Sequence, residues 1–247
     1  MDKKTFRNFC RNRLIKTPNP YYRSKIINKR LWSLLKKYQK ILGFYPLKGE
    51  VDIRPVLKKL QRSGKKVYLP KVEENNLHIV KYGPPFKRGK FAVEPLNRKS
   101  VPGEKIDIAL IPVIGVDLTL RRIGFGKGFY DRFFGGLNYR PNLLFLQLIP
   151  CISPETLTDW WDVEGDRYIS FNFEIERRRP DDRVYSIGGG YRSWRIFNRP
   201  MAGLRQIRPL RNRSQSQSPG NRARSGNETP RGGRENKRAG IETPKGV

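Results

Sequence analysis

Apolar positions along the chain follow two rhythms. Over residues 3–13 and 22–39 they recur every three to four positions, and Leu31, Leu34, Leu35 and Ile41 carry one continuous stripe, so both segments are predicted helices. Shorter β-branched runs bounded by Gly or Pro predict strands at 41–46, 66–70, 76–82, 106–113, 142–148 and 168–173. A helix is expected over 53–63, stopped by Gly64, and another over 127–134; Pro84-Pro85 breaks the strand before it. Strands alternating with helices predict an α/β fold. The expected architecture is a mostly parallel sheet flanked by helices, three-layered and Rossmann-like, with its ligand at the carboxyl ends of the strands. No internal repeat interrupts this order.

The periodicity fades in the last third of the chain, and the charge changes with it. The 247 residues hold 52 Lys+Arg against 22 Asp+Glu, a net charge of +30. Residues 1–170 carry 34 basic and 15 acidic residues, with 20 Lys to 14 Arg. Residues 171–247 carry 18 and 7, with 2 Lys to 16 Arg. That switch marks a boundary near Ser170, giving a domain at 1–170, an extension of uncertain character at 171–204, and an Arg/Gly/Ser-rich tail at 205–247. Low hydrophobicity with high charge predicts disorder in that basic C-terminal tail, because too little apolar surface is present to offset the entropy of folding.

Several classes are set aside by composition. No apolar run is long enough to span a bilayer, and MDKKTFRNFCRNR lacks the hydrophobic core of a secretory signal. Cys10 and Cys151 are too few for a disulfide scaffold, and with His78 the sole histidine, a structural zinc site is not expected. Both cysteines are expected to be reduced, and the protein to be a cytoplasmic monomer without a membrane partner.

The densest chemistry lies at 121–132, RRIGFGKGFYDR, directly after the run 106–114. A strand, a glycine loop and a helix in that order can bring backbone N–H groups up to an anion, since glycine has no Cβ to block the approach. Lys127, Arg121 and Arg122 can neutralise a polyphosphate, and Asp131 could hold a bridging magnesium ion. The spacing matches neither the P-loop nor the dinucleotide fingerprint, and by itself also fits a tight turn with solvated charges. Lys3 and Arg7, four apart on a helix, share one face and can grip one anion together.

The string R-I-G-F-G-K-G-F-Y-D resembles the R-L-G-x-G-x-G-Y-Y-D loop of the 5-formyltetrahydrofolate cyclo-ligase family. Three further segments resemble the same family in the same order. Lys3…Arg7 is similar to its K-x-x-x-R, 44–50 (FYPLKGE) to its F-x-P-x-x-x-E, and 161–166 (WDVEGD) to its closing H/W-D-x-x-x-D, with Trp161 where many relatives carry histidine. Together these span residues 1–170.

The resemblance implies ATP- and magnesium-dependent cyclisation of 5-formyltetrahydrofolate to 5,10-methenyltetrahydrofolate, with release of ADP and phosphate. It implies that Lys3, Lys4, Arg7, Arg122 and Lys127 hold the nucleotide with Gly124, Gly126 and Gly128, and with Phe125, Phe129 and Tyr130 beside it. Lys127 and Arg122 would be the catalytic cations, Arg122 being favoured over Arg121 by its distance from Gly124. Tyr45, Glu50, Phe125 and Phe129 would take the folate, possibly polyglutamylated, and Asp131 and Asp162 the magnesium. Two other classes stay open: an RNA-binding basic protein whose whole basic surface, tail included, engages RNA, with nucleic acid a possible but not favoured partner through the tail, and a relative that binds nucleotide without turnover.

Overall fold

The computed structural model describes residues 1–89, 92–178, 183–187 and 206–207. The expected extension at 171–204 lies largely, and the tail at 205–247 almost wholly, outside them. Among the described residues there are four helices: α1 (Lys3–Ile15), α2 (Pro20–Leu35), α3 (Arg54–Arg62) and α4 (Phe129–Gly135). The strands are β1 (Lys40–Leu42), β2 (Lys66–Glu73), β3 (Asn76–Lys81), β4 (Phe86–Arg88), β5 (Val93–Pro95), β6 (Ile108–Pro112), β7 (Gly115–Val116), β8 (Arg122–Ile123) and β9 (Asn142–Leu146), then β10 (Arg167–Ser170), β11 (Phe173–Arg178), β12 (Arg183–Ile187) and β13 (Gln206–Ile207).

Nine strands form the main sheet, in the order β13-β12-β11-β10-β9-β6-β1-β2-β3. Its centre, β10-β9-β6-β1-β2, is parallel throughout, and β3 and β11 are antiparallel additions on either side. Strand side chains alternate between faces, and the two faces are covered by different helices. Ile41, Val67, Ile108, Leu110, Leu144 and Ile169 pack with Phe6, Ile27, Leu31 and Leu57 of α1–α3. Leu42, Tyr68, Ala109, Ile111, Phe145 and Tyr168 pack against Phe129, Phe133 and Phe134 of α4. The three layers follow directly from that alternation.

The differences from expectation have local causes. Helix α2 starts at Pro20, whose fixed φ and missing N–H suit the first helical turn, and it ends at Leu35, four residues early. β1 ends at Leu42, although Gly43 N still donates to Tyr68 O at 2.8 Å; Gly43 passes under Leu57, where a Cβ would meet Leu57 Cδ2 at 2.7 Å. β2 runs on to Glu73 and pairs with β3 through a two-residue turn, Glu74-Asn75, with both residues at positive φ. The single strand expected at 168–173 is a hairpin, β10 and β11, turned at Phe171-Asn172 with Asn172 at φ 58°. The sheet therefore continues past Ser170.

Cys10 and Cys151 are joined in a disulfide, contrary to the expectation of two thiols. The buried face of α1 and the segment after β9 bring their Cα atoms to 5.9 Å, a separation suited to a bridge, although 141 residues lie between them in sequence. Among the described residues no helix is long and apolar enough to cross a membrane.

Candidate active site

Past β6 the chain folds into the small β7–β8 hairpin, then the loop Gly124–Gly128, then α4. The loop thus sits at the carboxyl edge of the parallel strands, one hairpin later than a direct strand-to-loop step. Two glycines are required here. At Gly124 an added Cβ would stand 2.5 Å from Arg122 Nη1, and Gly128, at φ 67°, is the left-handed residue that opens α4. Asp2 caps α1 by accepting from Thr5 N at 2.6 Å, which sets Lys3 and Arg7 on the first turns. Arg7 Nε donates to Gly124 O at 2.8 Å, so α1 grips the loop's backbone.

A cleft of about 1160 Å³ opens over this loop. Of the residues expected at the site, Lys3, Arg7, Arg122, Gly124, Gly126, Lys127, Gly128, Asp131 and Asp162 line it. Lys4, Tyr45, Glu50, Phe125, Phe129 and Tyr130 do not. Lys4 points away as an exposed residue of α1, and Phe125 is also exposed. Tyr45 lies with Phe86, ring centroids 4.7 Å apart, under the Arg54 guanidinium. Phe129 packs into the α4 side of the core. Tyr130 stays next to the cleft's cations, since its ring lies 5.2 Å from the Arg122 guanidinium. Burial, with the Glu50 charge added, pushes its phenol's pKa well up.

The acidic residues are already engaged. Arg122, buried to 5%, makes a two-pronged pair with Asp131, Nε to Oδ1 at 3.0 Å and Nη2 to Oδ2 at 2.7 Å, and Val163 N donates to the same Oδ1. Asp162 Oδ2 accepts from Lys3 Nζ and from Asp159 N, while its Oδ1 accepts from no described residue. Arg121 turns away from the loop. It donates to Trp160 O and Asp162 O at 3.1 and 2.9 Å and pairs with Glu164. Among the described residues no cluster of three or more His, Cys, Asp or Glu is present.

One organising residue was missed. Asp117, 1% exposed, accepts from Thr119 N and hydroxyl through Oδ1 and from Leu157 N, Thr158 N and the Thr158 hydroxyl through Oδ2. Burial alone would raise its pKa; the bonds from Thr158, Thr119 and Leu157 outweigh it and hold the carboxyl below its ordinary value. It therefore ties the turn before Arg121-Arg122 to the segment carrying Asp162. The Asp-x-Thr pattern at 117–119 is the local signal of such a turn, but Thr158 is 41 positions away. Asp117→Ala is expected to lose about 3 kcal/mol or more, because several buried donors lose their acceptor at once, and to raise the nucleotide KM. Urea unfolding together with steady-state kinetics tests this; an unchanged midpoint and KM would remove Asp117 from the site's support.

Burial dominates at Glu50, raising its carboxyl from 4.5 to about 7, against a lowering bond from Leu47 N. Because its folded pKa is raised, the stability Glu50 contributes is full below about 4.5 and lost as pH rises through about 7.

A cationic cleft with a glycine loop, set at the carboxyl edge of a parallel sheet, has the charge and the place suited to a polyanionic small ligand. Residues 2–146 match the family model of the 5-formyltetrahydrofolate cyclo-ligase family. The chain belongs to that family. It is 34% identical over 97 residues to a 5-formyltetrahydrofolate cyclo-ligase of Escherichia coli K12, covering 36% of this chain and 53% of the relative. To a protein of the same name from Haemophilus influenzae it is 30% identical over 129 residues, covering 49% and 69%. The match thus spans about half the length of the E. coli relative. Among solved structures it resembles the 5,10-methenyltetrahydrofolate synthetase of Aquifex aeolicus, with a TM-score of 0.62 at 28% identity, over 72% of this chain and 94% of that one. The Mycoplasma pneumoniae synthetase shares the fold, with a TM-score of 0.57 at 22% identity, over 69% and 98%.

Proposed function

We propose that the domain expected at 1–170, its sheet extended by β11, catalyses ATP-driven closure of 5-formyltetrahydrofolate to 5,10-methenyltetrahydrofolate, releasing ADP and phosphate. The observation that carries this reading is the convergence of Lys3, Arg7, Arg122 and Lys127 around the Gly124–Gly128 loop in one cleft. The formyl oxygen is a poor leaving group. Transfer of the γ-phosphoryl group to it makes an O-phosphorylated iminium whose carbon N10 attacks; N10 gives up its proton to solvent, and the C–O bond breaks as phosphate departs. Such chemistry asks the protein mainly for positioning and charge neutralisation. Lys127 and Arg7 hold phosphate oxygens together with the loop's N–H groups. Arg122, set by Asp131, meets the charge that grows on the transferred group. Glu50 accepts hydrogen bonds from the pterin.

Magnesium would bridge the phosphates and offset their charge. The donor set fits it at one position: Asp162 keeps Oδ1 open to the cleft, and magnesium takes one or two carboxylates, completing its octahedron with phosphate oxygens and water. Asp131 would join only after releasing Arg122, since both of its oxygens are occupied.

The direct test is absorbance: full-length protein with magnesium-ATP and 5-formyltetrahydrofolate should produce the near-ultraviolet band of the methenyl product. Absence of that band with a folded sample, whatever the nucleotide, would overturn the assignment. A pH series adds a second check. Below about 7 a growing share of Glu50 is protonated and accepts less well, so the folate KM should climb as pH falls from 8 to 6. Glu50→Gln should flatten that climb and raise KM throughout; a parallel climb in the variant would place the titration elsewhere.

A further inference from the structure

From Lys3 to Gly49 the chain contains no Asp or Glu, and neither does α3. This explains where much of the domain's positive excess sits. Lys25 and Lys29 of α2 and Lys36 at its C-cap follow at intervals of four and seven, which sets them along one side, and all three are exposed. On α3, Lys59 and Arg62 lie three apart and are likewise exposed. The two rows meet at Trp32. Its ring carries Lys59 Nζ at 3.9 Å and Lys36 Nζ at 5.8 Å, and Lys65 Nζ donates to Lys36 O at 2.8 Å. None of these residues lines the cleft.

Apart from the Trp32 ring, no ion pair among the described residues uses this charge. The ion pairs nearest to it in sequence are Lys40–Glu104 and Arg54–Asp52, at the ends of the two helices. Among the described residues none of these five cations has a carboxylate within 4 Å. Like charges at i, i+4 weaken a helix by a few tenths of a kcal/mol, so Lys25 and Lys29 repel without internal compensation. The outward result is a positive field over two adjacent helices.

We propose that the α2–α3 face docks the phosphodiester backbone of nucleic acid, apart from the cleft and independently of the reaction. A membrane surface fits less well. The apolar side of α2 (Ile27, Leu31, Leu35) is sealed in the core, which leaves no hydrophobic face to enter a bilayer. The docking reads charge and not sequence. Lysine ammonium groups act as point charges, whereas Arg23, Asn28 and Arg30 of α2, the groups there with forked donors or amides, are held by backbone carbonyls. Arg23 donates to Pro18 O, Arg30 to Ser170 O, and Asn28 to Ser24 O and Asp52 O. At 16 residues α2 is about 24 Å long, enough to lie along many phosphates of a duplex bearing one charge per ~1.7 Å.

The test uses full-length protein, a fluorescein-labelled 24-base-pair RNA duplex and anisotropy between 50 and 200 mM salt. Wild type should bind with affinity falling steeply in salt. The variant Lys29→Glu/Lys36→Glu/Lys59→Glu/Arg62→Glu should bind at least 100-fold more weakly at 50 mM, with a salt slope smaller by about three to four and unchanged cyclisation turnover. A control with Lys48, Lys81, Lys87 and Lys99 reversed should stay within a few-fold of wild type. The proposal is overturned if wild type does not bind, if the first variant binds like wild type (the tail then being the contact), if both variants lose affinity equally, or if phosphatidylserine vesicles bind the face as tightly as the duplex.

Discussion

Replacing Arg122 by alanine should abolish most turnover and destabilise the domain by about 3–5 kcal/mol, the usual cost of stranding one partner of a buried ion pair. Arg122 and Asp131 have side chains only 6% and 16% exposed, and their two-pronged contact is the most enclosed charge pair lining the cleft. For a domain of this size the loss corresponds to a fall in Tm of roughly 6–20 °C. Stability and catalysis separate in the double variant Arg122→Ala/Asp131→Asn. With no carboxylate left unpaired, much of the Tm should return, whereas turnover should not, because the cation facing the phosphoryl group is still absent. Differential scanning calorimetry and steady-state rates on the three proteins decide this. Turnover recovering in step with Tm would make Arg122 purely structural.

The disulfide should produce the second large effect. Closing a loop across 141 residues of separation restricts the unfolded chain by up to about 5 kcal/mol in the loop-entropy account, with 2–4 kcal/mol typical of measured bridges. Reduction, or Cys151→Ser, is therefore expected to lower the urea midpoint sharply. The bridge lies in α1, the helix whose Lys3 and Arg7 hold Asp162 and the Gly124 carbonyl. Loosening it should thus raise the nucleotide KM more than it lowers kcat. Matched unfolding curves of oxidised and reduced protein, with free thiols counted, test this; coincident curves would contradict it.

How much was legible in the chain depended on range. The Gly124–Gly128 loop, its cations and α4 were readable because strand, glycines and charges fall within a few dozen consecutive residues. The central parallel strands were readable because burial on both faces demands continuous apolar runs such as 106–114. The β7–β8 hairpin was not, since strands of two residues have no period to detect. The turn at Asn172 was hidden because Phe173, buried on β11, extends the apolar run of β10. Arg121 and Arg122 illustrate the limit at the site. Spacing favoured Arg122, and its partner Asp131 lies only nine positions on, but that Arg121 serves the backbone of 160–162 emerges only when the closing segment folds back some 40 residues later. The Cys10–Cys151 bridge and the Asp117–Thr158 contact were invisible for the same reason.

The central claim is that the Gly124–Gly128 backbone receives the triphosphate while Glu50 marks the folate side. Crystals grown with magnesium and a non-hydrolysable ATP analogue test it most directly. The expected map places phosphate oxygens within hydrogen-bonding distance of the loop's N–H groups and of Lys127, with Asp162 at the metal. Phosphates bound elsewhere, with this loop unchanged and solvent-filled, would contradict the account.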